Sequence, residues 1–221
     1  MSSAAHSSKA EVSAHASFIS DRLGSALAIL PLGVRTMFHL WSNLAVFESG
    51  AAWQTAVTEY PHPMAQGITW AIVLVPLVWH TVWGIRRITQ TPPNYPRYGY
   101  FANFKYILQR LSAIGLLAFL GAHLWLAFIK PRFVEGAAES FADISHEMHF
   151  HRPTTIVYIL GVLAIAYHLG NGVHQALMTW GVAIGKASLR RWQLLAWALF
   201  VAMLVMGWGA IYKIFLLGAQ S

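Results

Sequence analysis

The sequence predicts an all-α integral membrane protein, a bundle of five transmembrane helices, on three observations. Hydrophobic residues fill 57% of the 221 positions and charged residues only 10%, against roughly 25% charge in an ordinary soluble domain. Too few polar side chains remain to cover a solvated globule. Five apolar segments, roughly residues 23 to 46, 64 to 85, 107 to 129, 154 to 178 and 193 to 216, can each cross about 30 Å of hydrocarbon at about 1.5 Å per residue. The 10 Trp, 12 Phe and 8 Tyr suit the two membrane interfaces, where aromatic rings settle.

Residues 1 to 17, MSSAAHSSKAEVSAHAS, contain small and polar residues without an apolar run. They read as a mobile polar tail carrying His6 and His15, not as a signal peptide. Residues 18 to 221 then form one membrane domain, because no connection is long enough to fold separately. Pro31 and Pro76 fall inside the first and second segments, where a missing N–H is tolerated against a packed neighbour. Pro61 and Pro63 precede the second segment, Pro92, Pro93 and Pro96 end the connection after it, and Pro153 precedes the fourth.

The formal charge is +7, but the basic residues are scattered between apolar runs and form no stripe for nucleic acid. They orient the chain instead. With the N terminus inside, that side receives Lys9, Arg22, Arg86, Arg87, Arg97, Lys105, Lys186, Arg190 and Arg191, and the other side only Lys130, Arg132, Arg152 and Lys213. This bias predicts a multi-pass protein of the cell inner membrane with a cytoplasmic N terminus and the C terminus opposite. Cysteine is absent, which excludes disulfides, thiolate zinc and iron–sulfur ligation by this chain.

Eleven histidines remain as the chemical resource. Four lie well inside apolar segments: His39 in TMFHLWSN, His80 in PLVWHTVWG, His123 in FLGAHLWLAF and His168 in AIAYHLGNG. One buried imidazole is readily a satisfied core residue. One in each of the first four segments points to a shared task, since each requires a polar partner or a metal in hydrocarbon. Neutral imidazole is a standard ligand of haem iron. In an up-and-down bundle His39 and His123 come late in outward-running helices and His80 late in an inward-running one, with His168 on a helix of the same direction as His80. Pairs at two heights, His39 with His123 and His80 with His168, imply two six-coordinate b haems, their irons of order 15 to 20 Å apart. Gly84, Gly172 and Gly161 share the ligand faces, where small residues either admit a macrocycle or ease helix packing.

Other chemistry is less well served. No segment carries two histidines half a membrane apart, as quinol-oxidising bc cytochromes do, and HExxH, GxGxxG and phosphate-loop motifs are absent. His146, Glu147, His149 and His151 in HEMHFH are zinc candidates without a defined fourth ligand, set against a hydrated outer loop. Arg22 and Arg110, near the inner boundary, could contact haem propionates or snorkel to phospholipid. Arg35, one turn before His39, requires a partner such as an outer-haem propionate. Ser20, Asp21 and His174 are weaker polar candidates.

The four ligand contexts, with LQRLSAIG opening the third segment and NGVHQALMTWG after His168, resemble the cytochrome b membrane anchor of succinate dehydrogenase and fumarate reductase, the succinate:quinone oxidoreductases, in their single-subunit, five-helix, two-haem form. The resemblance spans roughly residues 18 to 216. It implies that His39 and His123 hold the haem distal to the catalytic subunits and His80 and His168 the proximal one. It also implies cytoplasmic partners, a flavoprotein with FAD and an iron–sulfur protein, so that dicarboxylate chemistry lies outside this chain. The chain then relays electrons to or from membrane quinone, most often menaquinone, in phospholipid, and the whole complex can associate further.

Some fumarate-reducing relatives carry a glutamate two residues before the fourth ligand, where this chain has Ala166. That proton route is therefore not expected, and succinate oxidation is the better reading of direction. Glu59 and His62 could face a quinone near the outer haem. An anchor for another quinone-linked dehydrogenase, such as a hydrogenase, is the alternative function; a haem-free transporter explains four buried histidines poorly.

Overall fold

The computed structural model describes residues 18–59, 63–95 and 97–220, and their regular structure is entirely helical. The tail 1–17, Pro61, His62 and Pro96 lie outside the described residues. Among the described residues seven helices follow one another: α1 (Phe18–Phe47), α2 (Gly50–Val57), α3 (Pro63–Gln90), α4 (Phe101–Val134), α5 (Phe141–Phe150), α6 (Arg152–Thr179) and α7 (Lys186–Gly218). Five of them, α1, α3, α4, α6 and α7, are long and apolar enough to span a membrane, which bears out the five-helix bundle.

Each spanning helix outruns the apolar segment that announced it. Hydropathy registers only the part at hydrocarbon depth, whereas the backbone keeps its hydrogen bonds until a proline, a glycine or a turn interrupts them. Pro31 lies in a widened, π-type stretch over Ala28–Gly33, because a residue without an N–H disturbs the regular ladder. A second such stretch, Trp125–Val134 with Pro131 inside it, carries α4 beyond its expected end. By contrast, α3 remains a regular helix through Pro76.

The tightest packing joins α6 to α7, with α4 against α6 and α1 against α7. Leu40, Ala166, Leu169 and Met203 form a small core at mid-height, and Val46, Trp53, Ile144, Met148, Tyr158, Val162 and Ile211 belong to a larger one beyond it. Helix α3 leans on the Ala28–Gly33 stretch of α1 and leaves Ile72, Val75, Val78 and Val82 exposed. An apolar face of that kind is suited to lipid tails.

The bundle has two chemically different ends. At the near end, which holds the start of α1 and the connections after α3 and α6, Arg87 pairs with Asp21 at 3.3 Å. There too, Arg22 donates to the Thr179 carbonyl at 3.2 Å and the Trp180 indole N–H to Ser25 Oγ at 3.0 Å. The far end is built from α2, α5 and the loop between α4 and α5. Gln54 ties it together, donating to the Glu139 carbonyl at 3.0 Å and accepting from the Phe141 N–H at 2.6 Å.

The far end corrects one expectation. HEMHFH is not a hydrated loop but the second half of α5 with its C-cap His151; the helix is capped at its start by Ser140, whose Oγ accepts from the Asp143 N–H at 3.0 Å. The helix lies on α7 and α6 because Phe141, Ile144 and Met148 recur at helical spacing; Ile144 and Met148 are almost fully buried.

Candidate functional site

Four helices each contribute one imidazole, and the bundle brings these together in two pairs. His39 of α1 and His123 of α4 have ring centroids 5.8 Å apart and planes inclined at 61°. His80 of α3 and His168 of α6 are 6.1 Å apart and inclined at 69°. Two imidazoles that share one metal ion have centroids about 6 Å apart, since each metal–nitrogen bond is about 2 Å long. Among the described residues no third histidine or carboxylate completes a metal-binding group at either pair or elsewhere. A metal held here by two opposed imidazoles therefore takes its other ligands from a non-protein group, and a porphyrin supplies four in one plane.

A second layer fixes the rings. His80 Nδ1 is 3.2 Å from the Gly24 carbonyl, and the Trp83 ring lies directly against Gly24, where a side chain would collide with it. His123 Nδ1 is 3.1 Å from the Tyr158 hydroxyl, and Phe119 stacks on the same imidazole at 5.5 Å. His168 Nδ1 has Ser112 Oγ at 3.4 Å and Gln109 Nε2 at 3.3 Å. Gln109 is oriented by donating to the His168 carbonyl and accepting from Asn171 Nδ2 at 2.7 Å. Partners on Nδ1 leave Nε2 as the free ligand atom and set the ring angle. Of these residues Gln109, Ser112 and Asn171 stand in the motifs LQRLSAIG and NGVHQALMTWG, so their presence was legible and their role was not. Tyr158 gave no signal beyond a hydroxyl in an apolar run.

The remaining candidates fall at various distances from the pairs. Arg35 is within electrostatic reach of His39. Arg110 turns to the near end, where it donates to Thr91 and to the Tyr106 hydroxyl; Arg22 also stacks over Phe18 at 3.4 Å. Glu59 is exposed at the end of α2, and His62 is outside the described residues. A β-carbon at Gly84 would meet nothing within 4 Å, and one at Gly172 would meet Gln109. At Gly161 the Phe119 ring already fills the space, which is the packing alternative.

The HEMHFH side chains diverge on α5. His149 Nδ1 faces the Phe215 carbonyl at 2.9 Å, and His151 meets Glu147 at 3.0 Å and Thr154 Oγ1 at 2.7 Å. His174 is buried between α6 and the start of α7, near Lys105, its Nε2 without a partner among the described residues.

The profile of the succinate dehydrogenase/fumarate reductase transmembrane subunit family matches residues 93–208, from the connection before α4 to most of α7. The chain belongs to that family. As a member it is a membrane subunit of a succinate dehydrogenase or fumarate reductase complex and not the subunit that performs the dicarboxylate chemistry. A similar protein is the succinate dehydrogenase cytochrome b558 subunit of Bacillus subtilis (strain 168), 28% identical over 206 residues that cover 91% of this chain and 98% of the relative. No solved structure matches the chain.

Proposed function

We propose that this chain is the two-haem cytochrome b anchor of a succinate:quinone oxidoreductase, with His39 and His123 holding one b haem and His80 and His168 the other. The observation that carries the reading is the arrangement of four imidazoles from four helices as two pairs at the spacing of a shared metal, with no further protein ligand beside them among the described residues. A bound haem supplies a one-electron carrier at each level. The chain's own residues would set its environment: the Gly24 carbonyl beside His80, Ser112 Oγ beside His168 and the Tyr158 hydroxyl beside His123 can each accept an Nδ1 proton, which would leave Nε2 for the metal. Arg35 offers a positive charge beside the His39 pair.

The basic bias makes the near end cytoplasmic. There the iron–sulfur subunit would dock, with the FAD-bearing flavoprotein upon it, and the pair His80 and His168 would be first to exchange electrons with it. Arg86, Arg190 and Arg191 are exposed at that end and serve that partner or phospholipid headgroups, whereas Arg87 is engaged by Asp21. The His39 and His123 pair then stands nearer to the opposite face, where Glu59 and His62 are the quinone candidates and menaquinone the expected quinone. Ala166, fully buried, offers no carboxyl for a proton path across the helices. This favours succinate oxidation with quinone reduction.

Purification of the native complex tests the assignment. The chain should co-purify with a flavinylated subunit and an iron–sulfur subunit, show a b-type spectrum on reduction and contain about two haems per chain. An active complex with haem near zero, or a nickel–iron partner in place of the flavoprotein, would overturn it.

A further inference from the structure

A carboxyl group at the far end has no place in the relay described so far. Glu139 is only 8% exposed, in the loop between α4 and α5, and it joins none of the ion pairs among the described residues. The charged groups around it are Lys130 and Arg132 from α4, Glu135 from its own loop and Asp143 from α5. Helix α2 contributes the neutral side chains Gln54 and Thr58, which hydrogen bond to each other, and Gln54 holds the Glu139 backbone from above. Lys130 is already engaged by Glu135 at 3.0 Å, and Arg132 donates to the Ala127 carbonyl at 3.1 Å and lies over Phe128.

Inward of Glu139 is Tyr158 of α6, within electrostatic reach of it and of Glu147. Its hydroxyl touches His123 Nδ1. A buried carboxyl that joins no ion pair among the described residues thus lies within electrostatic reach of the hydroxyl that meets the far-end imidazole pair.

We propose that Glu139 is the proton-exchange group of the far-end redox site, binding a proton from the aqueous phase when that site gains an electron and releasing it when the electron leaves. The inference rests on the haem reading above. The electron adds one negative charge in a low-dielectric interior, and a proton taken up on the Glu139 carboxylate oxygen cancels it at short range. No bond other than the carboxyl O–H forms or breaks.

Burial pushes the Glu139 carboxyl up to about 7, with Asp143 and Glu135 adding to the rise and Arg132 and Lys130 opposing it. A group that titrates there is about half loaded at neutral pH, so either redox change can move its proton. A raised carboxyl in the same loop but far from any redox group would titrate identically and ignore the electron. Redox response is what separates the two.

The test uses the intact complex in lipid nanodiscs, with haem content measured on the same sample. Infrared difference spectra are recorded on electrochemical reduction at pH 6, 7 and 8. The expected result is a protonated-carboxyl band that grows on reduction, is largest near pH 7 and vanishes in Glu139→Gln. Glu139→Asp should keep a displaced band. In redox titrations the far-end midpoint should fall from pH 6 to pH 8 in the native complex and lose most of that fall in Glu139→Gln, the near-end midpoint being unaffected. A complex with both haems whose carboxyl band ignores reduction, or whose Glu139→Gln variant keeps the full pH dependence, would overturn the proton role while leaving the anchor reading intact. Haem near zero would instead overturn the anchor reading and this proposal with it.

Discussion

Replacing His123 by alanine should strip the far-end haem and leave the near-end one, so that haem content falls from about two to about one per chain. His39→Ala should lose the same spectral component, because either change removes one of two opposed nitrogens on a centre bridging α1 and α4, whose rings are 5.8 Å apart. His80→Ala and His168→Ala should together lose the other component. The reduced spectrum and redox titration of each purified variant read this directly. The pairing fails if His39→Ala and His123→Ala retain different components. Tyr158→Phe makes a graded control: it keeps the ring but removes the hydroxyl 3.1 Å from His123 Nδ1, so the far-end component should survive with a shifted midpoint.

Gly207→Leu should lower the bundle's melting temperature clearly. Gly207 lies where α7 meets both α6 and α1, and a β-carbon there would come 2.5 Å from Val162 Cγ1 and 3.4 Å from Leu40 Cδ2. Both neighbours belong to buried cores, so α6, α7 and α1 must separate to admit a leucine. Overpacking of this kind costs about 1–3 kcal/mol, occasionally more. Gly207→Ala adds a single β-carbon, which Val162 must still yield to, and should cost less. Thermal scans of the purified complex, monitored by haem absorbance, should order the three as native, Ala, Leu. An unchanged midpoint in Gly207→Leu would contradict this account of the α6–α7 contact.

The five spans and the four helices that carry the histidines were legible because hydrocarbon imposes a long apolar run and punishes an unpartnered imidazole. Pairing followed from alternation of direction, which places positions late in α1 and α4 at one height. Less visible were features that depend on which side chain arrives first. The room at Gly161 goes to Phe119, and no spacing rule distinguishes a cradle for a macrocycle from a seat for a neighbouring ring. HEMHFH reads as a loop because its apolar residues are few, yet Met148 joins Phe141 and Ile144, which precede the motif, on one face, and with the Ser140 cap these suffice to seat a short helix on α7. Glu139 has nothing in its sequence context that sets it apart from the nearby Glu135 and Asp143. Its burial arises from α2 and α5 closing over the loop, a tertiary event that composition does not report.

The central claim is that each histidine pair holds one haem and that the two lie at different depths between the iron–sulfur partner and the far face. A structure of the intact complex in lipid tests this most directly. The account predicts one iron between His80 and His168 at the end where the iron–sulfur subunit docks, and a second between His39 and His123 further from it. Density for a single haem, irons coordinated by other residues, or an iron–sulfur subunit seated on α2 and α5 would contradict it.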